Sequence, residues 1–226
     1  MKIRNICISN FKSYNEAGIV IKLSDVTGFI GSNSAGKSNI LEALELFFHP
    51  VKLDSSVFHK KQTNIPICLD ITFDGFASSD SLNAKIMSNS QKITLRRIYK
   101  WNPAREQAEP DKNLYLRERW DYCGSNPYMN PYGNFAAPDI KKYLKGSESE
   151  SFREATGIPE TSTVKEFSQS LIKFWEEVDC SSDIWRDHFR WNVIDDQAVP
   201  APKALQDAVN AVVLPELSRL HISEPT

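Results

Sequence analysis

Gly31-Ser32-Asn33-Ser34-Ala35-Gly36-Lys37-Ser38 decides the reading of this chain, because it is a complete G-x-x-x-x-G-K-[ST] phosphate-binding loop. The two glycines allow a turn tight enough for successive backbone N–H groups to point inward at phosphates. Lys37 adds a cation for the β- and γ-phosphates, and the Ser38 hydroxyl is placed to ligate Mg²⁺. The flanks agree. Val26-Thr27-Gly28-Phe29-Ile30 predicts a short buried strand entering the loop, and Asn39-Ile40-Leu41-Glu42-Ala43-Leu44-Glu45-Leu46-Phe47-Phe48 predicts a helix leaving it. Apolar residues at 40, 41, 44, 47 and 48 share one helical face, Glu42 and Glu45 lie off it, and His49-Pro50 ends the run. The helix N-terminus would then face the phosphates. ATP with Mg²⁺ is the implied cofactor.

Outward from that loop, the bulk composition narrows the class. The chain has 226 residues, a net charge of −2 and a pI near 6.1, so no global basic field advertises nucleic acid. Its 27 Lys+Arg still allow a local basic surface. Hydrophobic residues at 41% and charged residues at 25% are ordinary for a soluble globular protein. Apolar runs fall short of the ~20 residues of a membrane span, and Met1-Lys2-Ile3-Arg4-Asn5-Ile6 enters a strand pattern without the apolar region of a signal peptide. The expected location is cytoplasmic, with no membrane partner. Cys7, Cys68, Cys123 and Cys180 are scattered and are expected to be buried free thiols.

Two strands are expected ahead of the loop, at Ile3–Ile8 and around Gly18–Leu23, with Asn10-Phe11-Lys12-Ser13-Tyr14 between them. Simple kinases and small GTPases usually place the loop after their first strand. The order here, Ile8-Ser9-Asn10-Phe11-Lys12-Ser13, then Gly31 to Asn39, then Leu41-Glu42-Ala43-Leu44, resembles the ATP-binding-cassette heads of the SMC, RecF and OLD (overcoming lysogenization defect) group. The resemblance covers about the first fifth of the chain. It implies an α/β P-loop NTPase of ABC-ATPase type, with a mixed sheet, an antiparallel flanking sheet and a helical insert. It also implies that Lys12 and Ser13 sit beside the nucleotide phosphates and that Asn33 shapes the loop. The implied nucleotide-binding set is therefore Lys12, Ser13, Gly31, Asn33, Ser34, Ala35, Gly36, Lys37, Ser38 and Asn39, with Lys37 the catalytic contact and Ser38 the metal ligand. Phe11 is expected to anchor the core.

Further along, Ile65–Asp74 and Lys92–Tyr99 alternate as half-buried antiparallel strands. Arg96, Arg97 and Lys100 are expected on a solvated strand face; interleaved Tyr99 and Trp101 leave a DNA-facing role open. Residues 101–106 and 109–112 read as loops, Leu114–Arg117 as a short strand, and Cys123–Asn134 as an irregular surface loop. Helices are expected at Pro138–Leu144, Thr163–Glu177 and Pro202–Val213, the second opened by a Thr163/Glu166 capping box. Residues 1–120 are expected to form a nucleotide-binding core, and 121–226 a loop-rich, helical insert that returns to it. Ala211–Ile222 reads as a helix leading to another strand, with His221 at that strand's edge.

Hydrolysis in this class needs a strand ending in an acidic pair. Val193-Ile194-Asp195-Asp196 imitates one, but Arg190 and Asn192 interrupt the apolar run. Ile67-Cys68-Leu69-Asp70 lies within a strand pattern that continues beyond Asp70. Leu144-Lys145-Gly146-Ser147-Glu148 is a weak look-alike of the ABC signature motif. The chain therefore reads as the N-terminal portion of an ATPase head. Its implied partners are a complementing C-terminal half or partner subunit, further copies engaged through heads as a homodimer or higher oligomer, and DNA in repair or in defence against foreign DNA. The alternative is a non-hydrolysing module in which ATP controls assembly. A small-molecule kinase fits less well, because two strands precede the loop and no lid arginine cluster stands out.

Overall fold

A one-residue step along a strand turns a side chain to the opposite face of a sheet, and this sequence uses that period fully. The computed structural model describes residues 2–25, 27–29, 36–75, 81–89, 91–194 and 199–217. In chain order the elements are β1 (Lys2–Ser9), β2 (Ile19–Lys22), α1 (Lys37–Phe48), β3 (Ile67–Asp74), α2 (Leu82–Met87), β4 (Ile93–Asn102), β5 (Gln107–Pro110), β6 (Tyr115–Leu116) and β7 (Glu118–Tyr122). They continue with α3 (Ala137–Lys145), α4 (Glu150–Thr156), α5 (Val164–Glu177), α6 (Asp183–His188), β8 (Phe189–Val193), β9 (Val199–Pro200) and α7 (Lys203–Leu217). The chain divides into two units: Met1–Ala77 with Ser90–Glu118 and Val193–Thr226, and Ser78–Asn89 with Arg119–Asn192.

The first unit is a sheet in the order β2-β1-β3-β4-β6-β9, with β5 also on β4, and every described pairing is antiparallel. Ile21, Ile6, Ile71, Leu95, Leu116 and Val199 lie opposite one another in a row across it. Ile6, Ile71, Leu95 and Leu116 in that row are buried. One residue along, Val20, Cys7, Asp70, Arg96, Tyr115 and Pro200 form the next row, on the other face. Helix α1 packs on the apolar face, with Phe47 and Phe48 each 6.3 Å from the Phe73 ring. Each such buried phenylalanine contributes about 1.5–3 kcal/mol.

The far end of α1 is fixed from β4. The last carbonyls of a helix lack intrahelical partners. Tyr99 donates its hydroxyl to Leu46 O at 2.7 Å, and Arg97 donates Nε to Phe47 O at 3.3 Å. Burial pushes the Tyr99 phenol up to about 12, so it remains a donor at neutral pH. The Arg97 guanidinium, 5.9 Å from the Phe47 ring, also meets the negative end of the helix dipole.

The second unit is helical, with β7 and β8 as a separate two-stranded sheet. Its core includes Ile140, Leu144, Phe167, Leu171, Trp175 and Trp185, with Phe189 stacked on Trp185 at 4.1 Å. Helix α5 begins at the expected Thr163/Glu166 capping box. Its C-terminal end is held by Lys85, which donates to Trp175 O at 3.0 Å, to Val178 O at 2.7 Å and to Glu176 O. Glu176 in turn accepts from Leu82 N, at the start of α2, at 3.1 Å.

The structure corrects several expectations. Thr27–Phe29 belong to no strand: Ser24 N bonds the Thr27 hydroxyl at 2.9 Å, and this local side-chain bond replaces a ladder partner. Val26 and Ile30 lie outside the described residues. Arg96 and Arg97 do not form a solvated strand face. Arg96 faces Asp70, and Arg97 is buried because α1's carbonyls need donors; Lys100 is exposed. Residues 107–110 pair with β4 as β5, since the turn at Pro103–Glu106 folds the chain back. Strand β7 and helices α2, α4 and α6 escaped the periodicity reading, three of them being too short to show a period. The four cysteines are free, but Cys123 is exposed and the others half-buried. Leu144 is a core residue at the end of α3, which explains the signature look-alike as packing. The helix expected to run from Ala211 is the end of α7, which closes at Leu217, and the strand expected after it, with His221, lies outside the described residues.

Candidate functional site

Helix α1 starts at Lys37 behind Gly36, whose φ of 81° is a left-handed conformation suited to glycine. Among the described residues no side chain caps this end, and the first turn carries no acidic residue, so its N–H groups and positive dipole end are unopposed by the helix itself. Gly36 is buried, Lys37 and Asn39 are half-buried, and Ser38 is exposed. Gly31, Ser32, Asn33, Ser34 and Ala35 lie outside the described residues.

The turn at residues 10–14 runs along α1 in reverse. Tyr14 donates its hydroxyl to Gly36 O at 3.0 Å, Asn39 donates Nδ2 to Ser13 Oγ at 3.0 Å, and Lys12 pairs with Glu42. Gly36, Asn39 and Glu42 are spaced by three, which places them along one stripe of the helix. Burial holds the Tyr14 phenol above its ordinary value, which keeps it a neutral donor.

The turn owes its shape to its own backbone and to one anchor. Phe11 N donates to Tyr14 O at 3.0 Å, and Tyr14 N returns a bond to Phe11 O at 2.8 Å. Asn10 and Lys12 adopt φ of 52° and 48°. Phe11 is fully buried, as expected, and bridges Phe58. Asn10, also fully buried, donates Nδ2 to Gln62 O and Ile65 O at 3.0 and 2.7 Å. Lys12 N donates to Val57 O at 2.7 Å, and its carbonyl is 2.9 Å from His59 Nδ1, which is assigned as the protonated nitrogen.

The structure thus brings Lys12 and Ser13 against the helix that carries Gly36, Lys37, Ser38 and Asn39. The sequence reading missed Tyr14, Glu42 and Asn10. The signal for Glu42 was available in the i, i+3, i+6 spacing from Gly36, but it needed the direction of the turn to be read.

A model of the AAA ATPase domain family matches residues 1–199, most of the chain. The chain belongs to this family. No curated protein matches this chain. Solved structures similar to it include two SMC ATPase structures. One, from work on the structural biochemistry of ATP-driven dimerization and DNA-stimulated activation of SMC ATPases, covers 67% of this chain and 95% of its own, with 20% identity and a TM-score of 0.37. The other, an SMC head bound to the C-winged helix domain of ScpA, covers 77% of this chain and 55% of its own, with 19% identity and a TM-score of 0.35.

One acidic look-alike in the ATPase domain serves another purpose. Asp70 lies mid-strand in β3, where Arg96 clasps it at 2.6 and 2.8 Å and Arg117 approaches it at 3.2 Å. Val193 ends β8 and is exposed, unlike a residue of a buried parallel strand; Asp195 and Asp196 lie outside the described residues. Among the described residues, no helix is long and apolar enough to cross a membrane.

Proposed function

We propose that this ATPase domain binds Mg-ATP through its phosphate loop and forms the N-terminal portion of an OLD/SMC-like head that gates DNA processing in repair or defence. The observation that carries the ATP assignment is the seating of the 10–14 turn on the N-terminal end of α1, beside Gly36-Lys37-Ser38, in a chain of the ATPase family. In this reading Gly31, Asn33, Ser34, Ala35 and Gly36 wrap the phosphates, Lys37 contacts the β- and γ-phosphates, and Asn39 and Ser13 hold the turn against the helix. The exposed Ser38 hydroxyl suits Mg²⁺, a hard cation that takes few protein oxygens and completes its shell with phosphate and water. Bound there, the ion would neutralise phosphate charge during transfer to water.

Calorimetric titration with a non-hydrolysable ATP analogue tests the assignment. Lys37→Ala removes a charge-assisted contact of about 2 kcal/mol, so affinity should fall roughly thirty-fold. Equal affinity in the variant sinks it. Engagement of further copies and DNA stimulation belong to the same proposal; phosphate release with a complementing C-terminal half, with and without duplex DNA, is their test. A second reading, a non-hydrolysing module in which ATP controls assembly, is favoured by one observation: Asp70 is consumed by Arg96 and Arg117. Turnover by the chain alone near ~1 s⁻¹ refutes that second reading.

A further inference from the structure

Lys12 is the only cation in the turn seated on α1, yet its ammonium is not directed at the helix N-terminus. It pairs with Glu42, six residues into the helix and roughly 9 Å along the axis from Gly36. The two side chains are 32% and 37% exposed, so the pair sits in a screened setting where ion pairs are weak. The Lys12 backbone is fixed independently, by its N–H on Val57 O and by His59 on its carbonyl. The turn also keeps its own bonds to Gly36 and Asn39 through Tyr14 and Ser13. Breaking the pair therefore requires only rotation of a flexible four-carbon stem, with the turn left in place.

We infer that Glu42 is the resting counter-ion of Lys12, and that a nucleotide triphosphate at the helix N-terminus takes the ammonium from it. This rests on the ATP-binding reading above. Glu42 is then a positioning residue. It holds the ammonium until nucleotide arrives, and it opposes phosphate binding by the strength of one partly exposed ion pair. A phosphate chain carries several negative charges against one on the carboxylate, so the exchange runs toward the ligand.

The test is a four-way cycle on the full chain with wild type, Glu42→Gln, Lys12→Met and the double variant, titrated with a non-hydrolysable ATP analogue and Mg²⁺. Glu42→Gln should bind about two- to five-fold tighter, the range a partly exposed pair supplies. Lys12→Met should bind at least about ten-fold more weakly. In the Lys12→Met background Glu42→Gln should change little, which separates a hand-over from simple removal of a negative charge near phosphate. Thermal melts of the same four proteins should show coupling between positions 12 and 42 without ligand and its loss at saturating analogue. Unchanged or weaker binding by Glu42→Gln overturns the hand-over alone, as does equal tightening in both backgrounds. A wild type that binds no analogue overturns the ATP reading and the hand-over together.

Discussion

Replacing Asp70 by Asn keeps the shape of the side chain and removes its charge. What remains is two guanidiniums facing one another on the sheet: Arg96, formerly clasped through Nε and Nη2, and Arg117, formerly at 3.2 Å. Side-chain exposure is 10% for Asp70, 18% for Arg96 and 16% for Arg117. Breaking a fully buried pair costs about 3–5 kcal/mol, and an exposed one less than about 1. With about a sixth of each arginine side chain still exposed, the expected loss is about 2–3 kcal/mol. For a chain of this size that lowers the melting temperature by roughly 5–10 °C. Far-UV circular dichroism during heating gives the measurement. Asp25→Asn is the control, since Asp25 is 65% exposed and its pairs with Lys2 and Arg4 lie at the surface; its melting point should not move measurably. Equal shifts in the two variants would refute the claim that the Asp70 cluster is shielded and structural.

Three further outcomes follow from the geometry. Gly36→Ala places a Cβ 2.8 Å from Ser13 Oγ and 3.0 Å from Tyr14 OH at a φ of 81°; it should cost about 1–2 kcal/mol and weaken nucleotide binding, and an unchanged melting point would count against the seated turn. Tyr99→Phe removes the donor to Leu46 O and should cost about 1–2 kcal/mol in urea unfolding; no loss would mean that another group satisfies the carbonyl. Glu166 is held below its ordinary 4.5 by the backbone N–H and then the hydroxyl of Thr163. A depressed carboxylate adds stability fully above its unfolded pKa and loses it as pH falls through the folded value. The urea-midpoint difference between wild type and Glu166→Gln should therefore be present at pH 7 and vanish in acid well below 4.5; a difference independent of pH would remove the charge argument.

The ATPase class and helices α1, α3, α5 and α7 were legible because each rests on a local rule: a fixed motif, a 3.6 period or a cap. The long strands β1, β3 and β4 were legible from alternation for the same reason. Arg96 and Arg97 were misread because alternation says which residues share a face and nothing about what lies on it. Arg97 shares the apolar face with Leu95, and only the orphan carbonyls of α1 explain a guanidinium there. Strand β5 was hidden by Pro110 and by charged partners at a sheet edge, where pairing tolerates both. In the site, the residue types of Lys12 and Ser13 were readable, but pairing them with Glu42 and Asn39 needs the direction of the chain reversal, which the helical spacing alone does not give.

The antiparallel ladder between β6 and β9 has a kinetic consequence. Leu116 lies opposite Val199, so forming this pair closes a loop of roughly eighty residues, while the β3 and β4 strands meet across a much shorter one. Loop closure must be met before such a contact adds stability, and the helices between Arg119 and His188 can shorten the free chain by ordering first. The expected order is early protection of amides in α5 and in the β3–β4 ladder, and late protection of Ala201 N, which bonds Leu114 O at 2.8 Å. Pulsed hydrogen exchange during refolding reads that order directly. Simultaneous protection at Ala201 and in α5 would mean that the closing strand is drawn in with the rest, and that this ATPase domain assembles in one concerted step.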